Sequence, residues 1–413
     1  MVARHVTKVG LSQVRGLRRL ACMKDHRIVI AGAGYAGVSC ALRLARRVPS
    51  NVSVTLVSAT DRFVERIRLH QRATGQNVGD WSLPSLIRGS RVELRIGVIE
   101  QLDIGNRTLN LGGNRVHFDT AVLALGSHID VDSVKGVREH AMAVEFGAVC
   151  GIHEALRKAA THKGRVTIVG GGLTGIELAS EIAEAFPGLQ VSLVSQTRLA
   201  QTWSEAARAH VLAAMRRFRV RVEEGPHIKA VHSRHLETDR GDLPFDLCIW
   251  AGGFVGHSVA WNSGLKVNGQ GQALVDTQLR SVSHPGVHVV GDLAAIAPEL
   301  TPQMPMGCKS AMPAGAWAAE NIARRLRGQS EQSLQYAVPF FCVSLGRRDG
   351  LIQMAARDGS MTGRVLTDRR GAWFKELICR STMWALKTER MGISGIQWVR
   401  SRPASQIEAP QAS

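Results

Sequence analysis

The sequence predicts an α/β fold made of two similar halves, each a parallel sheet flanked by helices, with a smaller C-terminal subdomain. Two observations carry that prediction. The apolar run Ile28 to Ala31 is followed by Gly32, Gly34 and Gly37 in G-x-G-x-x-G spacing, then by a helical apolar stripe through Val38, Ala41, Leu42, Leu44 and Ala45. The same order returns 138 residues later, where Arg165 to Val169 precedes Gly170, Gly172 and Gly175. Strand, glycine turn and helix in that order are what a Rossmann-like dinucleotide-binding unit demands. A chance glycine turn accounts for one copy far more readily than for two, and two copies imply two dinucleotides.

The elements follow in order. Gly32 permits the tight turn, Gly34 lets the backbone approach a pyrophosphate, and Gly37 lets helix and strand pack closely. Ala33, Tyr35 and Ala36 fill the positions between them. The helix start presents unpaired N–H groups and a positive dipole end to the phosphates. Val52 to Val57 reads as the second strand. It ends at Ser58, where an acid would bind a ribose hydroxyl, and Asp61 follows. Residues 91–119 alternate apolar and polar in short pieces, which predicts a small antiparallel meander. Asp119 to Leu123 then runs into a small-residue turn, Ala124 to Ser127, containing Gly126. The second half repeats this plan: a strand ending at Ser195, a meander over 219–240, and Asp246 to Trp250 running into Gly252 and Gly253. Residues 284–292 form one more strand ending in Gly291-Asp292, and a helix is predicted over about 313–327. The domain reading is a basic extension (1–24), a first domain in two parts (25–128 and 258–330), a second domain inserted between them (129–257), and a basic C-terminal subdomain (331–413).

Composition narrows the class. The formal charge of +18 suits anionic ligands, an anionic membrane surface or nucleic acid, but no nucleic-acid motif accompanies it and the chain has only two tyrosines. Seven cysteines show no C-x-x-C, which argues against a zinc site and a redox dithiol and suits a reducing compartment. Cys40 and Cys308 read as packing residues. His232 and His235 lack partners at ligand spacing, so no metal is expected. No run of 18 apolar residues exists to cross a membrane. Residues 1–24 carry basic residues, no acid, and Leu11, Val14, Leu17 and Leu20 at helical spacing. They read as an amphipathic arm, a targeting segment, or an unstructured extension before a start at Met23. From Arg347 to Arg402 there are 12 Lys/Arg against 5 Asp/Glu, with Trp373, Phe374, Trp384 and Trp398 among them. Such a tail suits either anionic lipid with Trp at the interface or a dimerisation surface with solvated charges.

The ordered motifs resemble the two-dinucleotide FAD and NAD(P)H oxidoreductases, the glutathione-reductase-like flavoproteins, over residues 25–327. Within that family the chain most resembles the type II NADH dehydrogenase branch, because the cysteine pair is missing. The resemblance implies FAD on the first unit at Gly32, Ala33, Gly34, Tyr35, Ala36 and Gly37, with Ala124 and Gly126 beside it. It implies that Gly291 and Asp292 hold the ribityl or phosphate part of FAD. Ala311 and Met312, near the start of the next helix, would aim N–H groups at the flavin pyrimidine edge. NADH or NADPH would sit on Gly170, Gly172, Thr174, Gly175, Gly252 and Gly253, with Glu177 as the catalytic acid by the nicotinamide. Arg66, Arg68, His70 and Gln71 fall where the family approaches FAD, and each reads equally as a solvated helix face. Ser195 replaces the acid that favours NADH, and Arg198 stands near it, so both nucleotides stay open. The type II enzymes carry glutamines that help shape the quinone site, and the stretch 307–317 has none.

The activity implied is hydride transfer from NAD(P)H to FAD and electron delivery to a quinone. The alternatives are a soluble NAD(P)H oxidoreductase acting on oxygen, a small molecule or an iron–sulfur protein, and a redox-sensing flavoprotein with little turnover. The expected setting is the cytoplasm, at the inner face of the cell membrane, as a peripheral protein or homodimer.

Overall fold

The computed structural model describes residues 25–296, 304–397 and 399–400. The basic extension 1–24 and Trp398 lie outside the described residues. In chain order the first unit begins with β1 (His26–Ala31), α1 (Tyr35–Arg47), β2 (Val52–Ser58), β3 (Val92–Ile96) and β4 (Thr120–Leu123). The second contains β5 (Arg165–Val169), α2 (Leu173–Ala185), β6 (Gln190–Ser195), β7 (Arg221–Glu224) and β8 (Leu247–Trp250). Then come β9 (Val287–Val289), α3 (Cys308–Leu326), and a tail of β10 (Phe340–Ser344), β11 (Gly350–Ala355), β12 (Met361–Leu366) and α4 (Asp368–Arg390).

The first sheet runs β9-β4-β1-β2-β3 and is parallel throughout. The second runs from Met142–Ala143 through β8, β5, β6 and β7, also parallel. β9 returns to the first sheet only after the second is complete, so the second unit is an excursion of the chain from the first. The central strands β1 and β5 are covered on both faces, which is why each reads as a continuous apolar run.

β3 and β7 correct the sequence reading, which placed both in meanders. Each is instead the parallel edge strand of its sheet. An edge strand leaves much of its surface to solvent, and the resulting polar positions imitate antiparallel alternation. The meanders themselves are shorter, Ile99–Asp103 to Asn114–His117 in one half and Ile228–Val231 to Leu243–Pro244 in the other.

α3 begins at Cys308 rather than near Pro313. A proline inside a helix removes the N–H that would bond the carbonyl four residues back. That carbonyl belongs to Lys309, and the Tyr336 hydroxyl donates to it at 2.6 Å. A residue from the tail therefore satisfies the group that Pro313 leaves open. α3 packs on α1 at van der Waals range. A Cβ on Gly315 would collide with the Ala36 carbonyl, and Ser39 Oγ donates to the Met312 carbonyl at 2.9 Å.

The tail is a three-stranded antiparallel sheet plus α4. α4 reaches back to both units. Glu389, fully buried, pairs with Arg43 and Arg46 of α1. Glu376 takes both arms of Arg68 at 2.9 Å, and Lys375 reaches Glu177 of α2 at 2.5 Å.

Candidate functional site

The two glycine turns have the same construction. Gly32 and Gly170 hold φ of +106° and +122°, a region that L side chains rarely adopt. A Cβ on Gly37 would strike the Gly32 carbonyl, and one on Gly175 would strike the Gly170 carbonyl. A Cβ on Gly34 or Gly172 would meet nothing within 4 Å among the described residues. These middle glycines therefore face open space just where the helix begins. Gly34 and Gly172 are the N-caps of α1 and α2, with no acid in either first turn, so the first N–H groups of both helices are left for a ligand. Each turn is thus a cradle that fits a pyrophosphate.

The first cradle is completed from far along the chain. Gly291 follows β9 with φ +72°, and a Cβ there would lie 3.1 Å from that of Ala36 and 3.7 Å from that of Ala311. Asp292 Oδ1 accepts from the Gly307 N–H at 2.8 Å, and Oδ2 accepts from Ser127 Oγ at 3.1 Å. Its carbonyl accepts from Gln272 Nε2 at 2.9 Å. Asp292 thereby fastens the small-residue turn, the return strand and the α3 N-terminus to one another. Gly126, at φ +71°, lies beside the Arg66 guanidinium.

Ala311 and Met312 need correcting as sources of free N–H groups. The Ala311 N–H already bonds the Gly307 carbonyl at 2.9 Å, because α3 starts earlier than predicted. The groups at the helix start are those of Cys308 and Lys309. Burial lowers the Lys309 amine to about 8, and its Nζ lies 3.5 Å from the Phe341 ring centroid. Burial also raises the Cys308 thiol to about 12, a packing thiol, and all six described cysteines are free.

Glu177 sits in a buried junction between the two units and the tail. Oε1 accepts from the Ser344 N–H at 3.1 Å and from Lys375 Nζ. Oε2 lies 3.4 Å from His70 Nδ1. Burial alone would raise this carboxyl, but the Lys375 charge and these hydrogen bonds win, and it ends below its usual value. His70 is pushed down to about 4 by its burial, so it is neutral at pH 7. One turn further along α2, Glu181 accepts from Gln76 at 2.7 Å and pairs with Arg347. Lys375 and Arg347 were invisible to sequence reasoning, since nothing in a basic tail marks which cation turns inward.

Thr174 and Leu173 at the second turn are part-exposed or exposed, and a Cβ on Gly170 would come within 2.8 Å of the Gly252 Cα. Gly253 has φ +68° and packs on Asp130. A groove of about 570 Å³ borders the junction, lined by Arg68, Trp81, Arg347, Glu376, Met383 and Trp384. Among the described residues, one cluster has metal-ligating types, His210, Asp349 and Asp368, but Arg217 already occupies Asp349 at 2.7 Å.

Two pyrophosphate cradles on two parallel sheets, the first completed by a return strand, define a two-dinucleotide oxidoreductase. The chain belongs to the pyridine nucleotide-disulphide oxidoreductase family, whose model matches residues 26–324. It is 24% identical over 395 residues to the type II NADH:quinone oxidoreductase of Staphylococcus epidermidis, covering 87% of this chain and 96% of that one. It is 23% identical to the Staphylococcus aureus protein of the same name, with 85% and 94% covered. Among solved structures, the sulfide:quinone oxidoreductase of Aquifex aeolicus superposes with a TM-score of 0.76 at 17% identity, covering 89% of this chain and 93% of that one. NDH2 from Plasmodium falciparum in complex with NADH gives 0.72 at 14% identity, with 91% and 100% covered.

Proposed function

We propose that the protein is an FAD-dependent NAD(P)H:quinone oxidoreductase working at a membrane surface. The net reaction is NAD(P)H plus a quinone plus one proton, giving NAD(P)⁺ and a quinol. The observation that carries this reading is the pair of equivalent cradles, only the first of which is closed by Asp292 and the start of α3. FAD, when bound, supplies the two-electron relay between a hydride donor and an acceptor.

The first N–H groups of α1, beside Gly34, would hold the FAD pyrophosphate, and those of α2, beside Gly172, would hold that of NAD(P)H. The N-terminal end of α3, with Lys309 in its first turn, would stabilise negative charge on the FAD ring system. Glu177 stays ionised under Lys375, so its part beside the nicotinamide is to orient and set charge rather than to donate a proton. His70 lies beside Glu177 as a neutral imidazole and adds no charge to the pair.

α4 supports a membrane-side acceptor. Trp373, Leu377 and Trp384 are 68%, 47% and 63% exposed and recur at helical spacing, and Met391, 61% exposed, caps the helix end. Arg369 and Arg370 are exposed at its start. An apolar, aromatic and basic helix face suits an anionic lipid surface. The groove lined by Trp81, Met383 and Trp384 opens on that face, a route for a lipid-borne quinone. No described helix is long and apolar enough to cross a membrane.

An acceptor comparison tests the proposal. Flavin-loaded protein should turn over soluble quinones far faster than oxygen, and should cosediment with phosphatidylglycerol vesicles but not phosphatidylcholine ones. Oxygen turnover matching quinone turnover would refute the quinone assignment. Failure of NAD(P)H to bleach the flavin would refute the enzyme.

A further inference from the structure

β6 ends at Ser195, where a dinucleotide fold places the group that meets the adenosine ribose. Ser195 is buried, and a Cβ on Gly171 would run into its hydroxyl, so this side chain lies against the glycine turn. The register partner of Ser195 on β7 is Glu224. Glu224 could stand in as the missing acid, but its carboxylate is occupied. Oε1 accepts from the Leu199 N–H and from Arg208 Nη1, both at 2.7 Å, and Oε2 accepts from Arg208 Nη2 at 2.8 Å. Its charge is matched by a bidentate guanidinium and repels little.

Two further guanidinium groups flank the same corner. Arg198 follows Ser195 by three residues and is 59% exposed, with Glu205, itself 82% exposed, at 3.6 Å. An exposed pair at that distance is weak and readily exchanged. Arg240 enters from the other side, its Nη1 donating to the Glu224 carbonyl at 3.1 Å. It packs on Gly225, whose N–H donates to the Ser195 carbonyl at 2.8 Å. Gln196 Nε2 and His227 Nδ1 lie 3.4 Å apart on the same rim, and Asp239 is engaged by the His227 N–H at 2.8 Å. The corner therefore offers exposed cations and neutral donors, with its nearest carboxylate already neutralised.

We infer that this corner selects the 2′-phosphate of NADPH over the 2′-hydroxyl of NADH, with Arg198 as the principal ligand and Arg240 as the second cation. The inference rests on the reading that the second unit binds a nicotinamide nucleotide. A 2′-phosphate displaces Glu205 from Arg198 and gains a doubly charged partner for it. A 2′-hydroxyl meets Ser195 where an acid would accept its hydrogen bond, and the neighbouring Glu224 is taken by Arg208.

The test uses the flavin-loaded full-length protein and two probes that lack nicotinamide, 2′,5′-ADP and 5′-AMP, titrated calorimetrically at physiological ionic strength. 2′,5′-ADP should bind at least about tenfold more tightly, a gap of the size one charge-assisted contact provides. Arg198→Ala should remove most of that gap while changing 5′-AMP affinity less than about twofold. kcat/KM for NADPH should exceed that for NADH, and both Ser195→Glu and Arg198→Glu should reverse the order. Arg198→Glu lies on the surface and keeps the test alive if the buried Ser195→Glu fails to fold. Equal binding of the two probes, or a kcat/KM favouring NADH, would overturn the inference and leave the second unit a nucleotide site. Binding of neither probe nor either dinucleotide to flavin-loaded protein would overturn the reading beneath it.

Discussion

The two glycine turns have nearly the same backbone and very different surroundings. In the first, Tyr35 after the middle glycine is 7% exposed and stacks edge-on against Phe63 at 5.1 Å. In the second, Leu173 holds the same position and is 36% exposed. α1 is covered by α3 and α4, and its turn is sealed by Gly291 and Asp292. In the second unit the matching edge strand is the two-residue Met142–Ala143, and among the described residues no Gly-Asp follows it to close the turn. A sealed cradle suits a group that stays, and an open one suits a substrate that must leave after each turnover. Identical local chemistry thus serves a resident cofactor or an exchanging one according to what the rest of the chain lays over it.

The sharpest break of this comparison is a paired substitution. Gly34→Leu should fold, since its Cβ enters open space, yet flavin content should fall at least about tenfold as the side chain fills the pyrophosphate's place. Gly172→Leu should keep its flavin, read from the visible absorbance, and raise KM for the nucleotide by at least about tenfold. If Gly172→Leu also loses flavin, the two seats are not independent.

The next effect concerns the junction holding the seats together. Lys375→Met strands Glu177 as a buried charge and should cost about 3–5 kcal/mol in denaturant unfolding. Adding Glu177→Gln should recover much of that, because it removes the stranded charge. Asp292→Ala, confined to the first seat, should cost about 1–3 kcal/mol and speed flavin release, since the Gly307 N–H and the Ser127 hydroxyl lose their acceptor. Nucleotide affinity at the second seat should not move.

The smallest effect is a pH slope. His288 on β9 is fully buried, neither ring nitrogen has a hydrogen-bond partner among the described residues, and burial lowers it to about 3, while His70 is lowered to about 4. An unfolded histidine titrates near about 6.5, so below that pH the unfolded chain binds protons that the folded one refuses. Stability should be flat for these groups above about pH 6.5 and fall steadily as pH drops towards 4. His288→Leu should flatten part of that slope in thermal melts. An unchanged slope would mean that His288 is not the strained group.

The fold was readable because buried parallel strands are apolar without interruption and because each glycine has a positional reason that survives in sequence. Gly32, Gly37, Gly170 and Gly175 are forced by backbone contacts within a few residues and the adjacent strand. What resisted reading was non-local. β3 and β7 are edge strands, so solvent gave them a meander's pattern. The start of α3 was misplaced because Pro313 looks like a first-turn residue until Tyr336 is seen bonding the Lys309 carbonyl. At the junction, Glu177 was singled out by its place after the second turn, but its partners His70 and Lys375 come from segments more than 100 residues away on either side. No local pattern encodes such a meeting.

The position of β9 also sets an order of events during synthesis. β4 becomes an interior strand only when β9 pairs with it, about 160 residues after β4 leaves the ribosome. At roughly 5–20 residues per second, that leaves an unpaired apolar edge for about 10–30 s. All the strands of the second sheet emerge within that interval, so the second unit can close while the first still waits for its last strand. Asp292 and α3 arrive immediately afterwards, which makes cofactor capture one of the last steps in building the molecule.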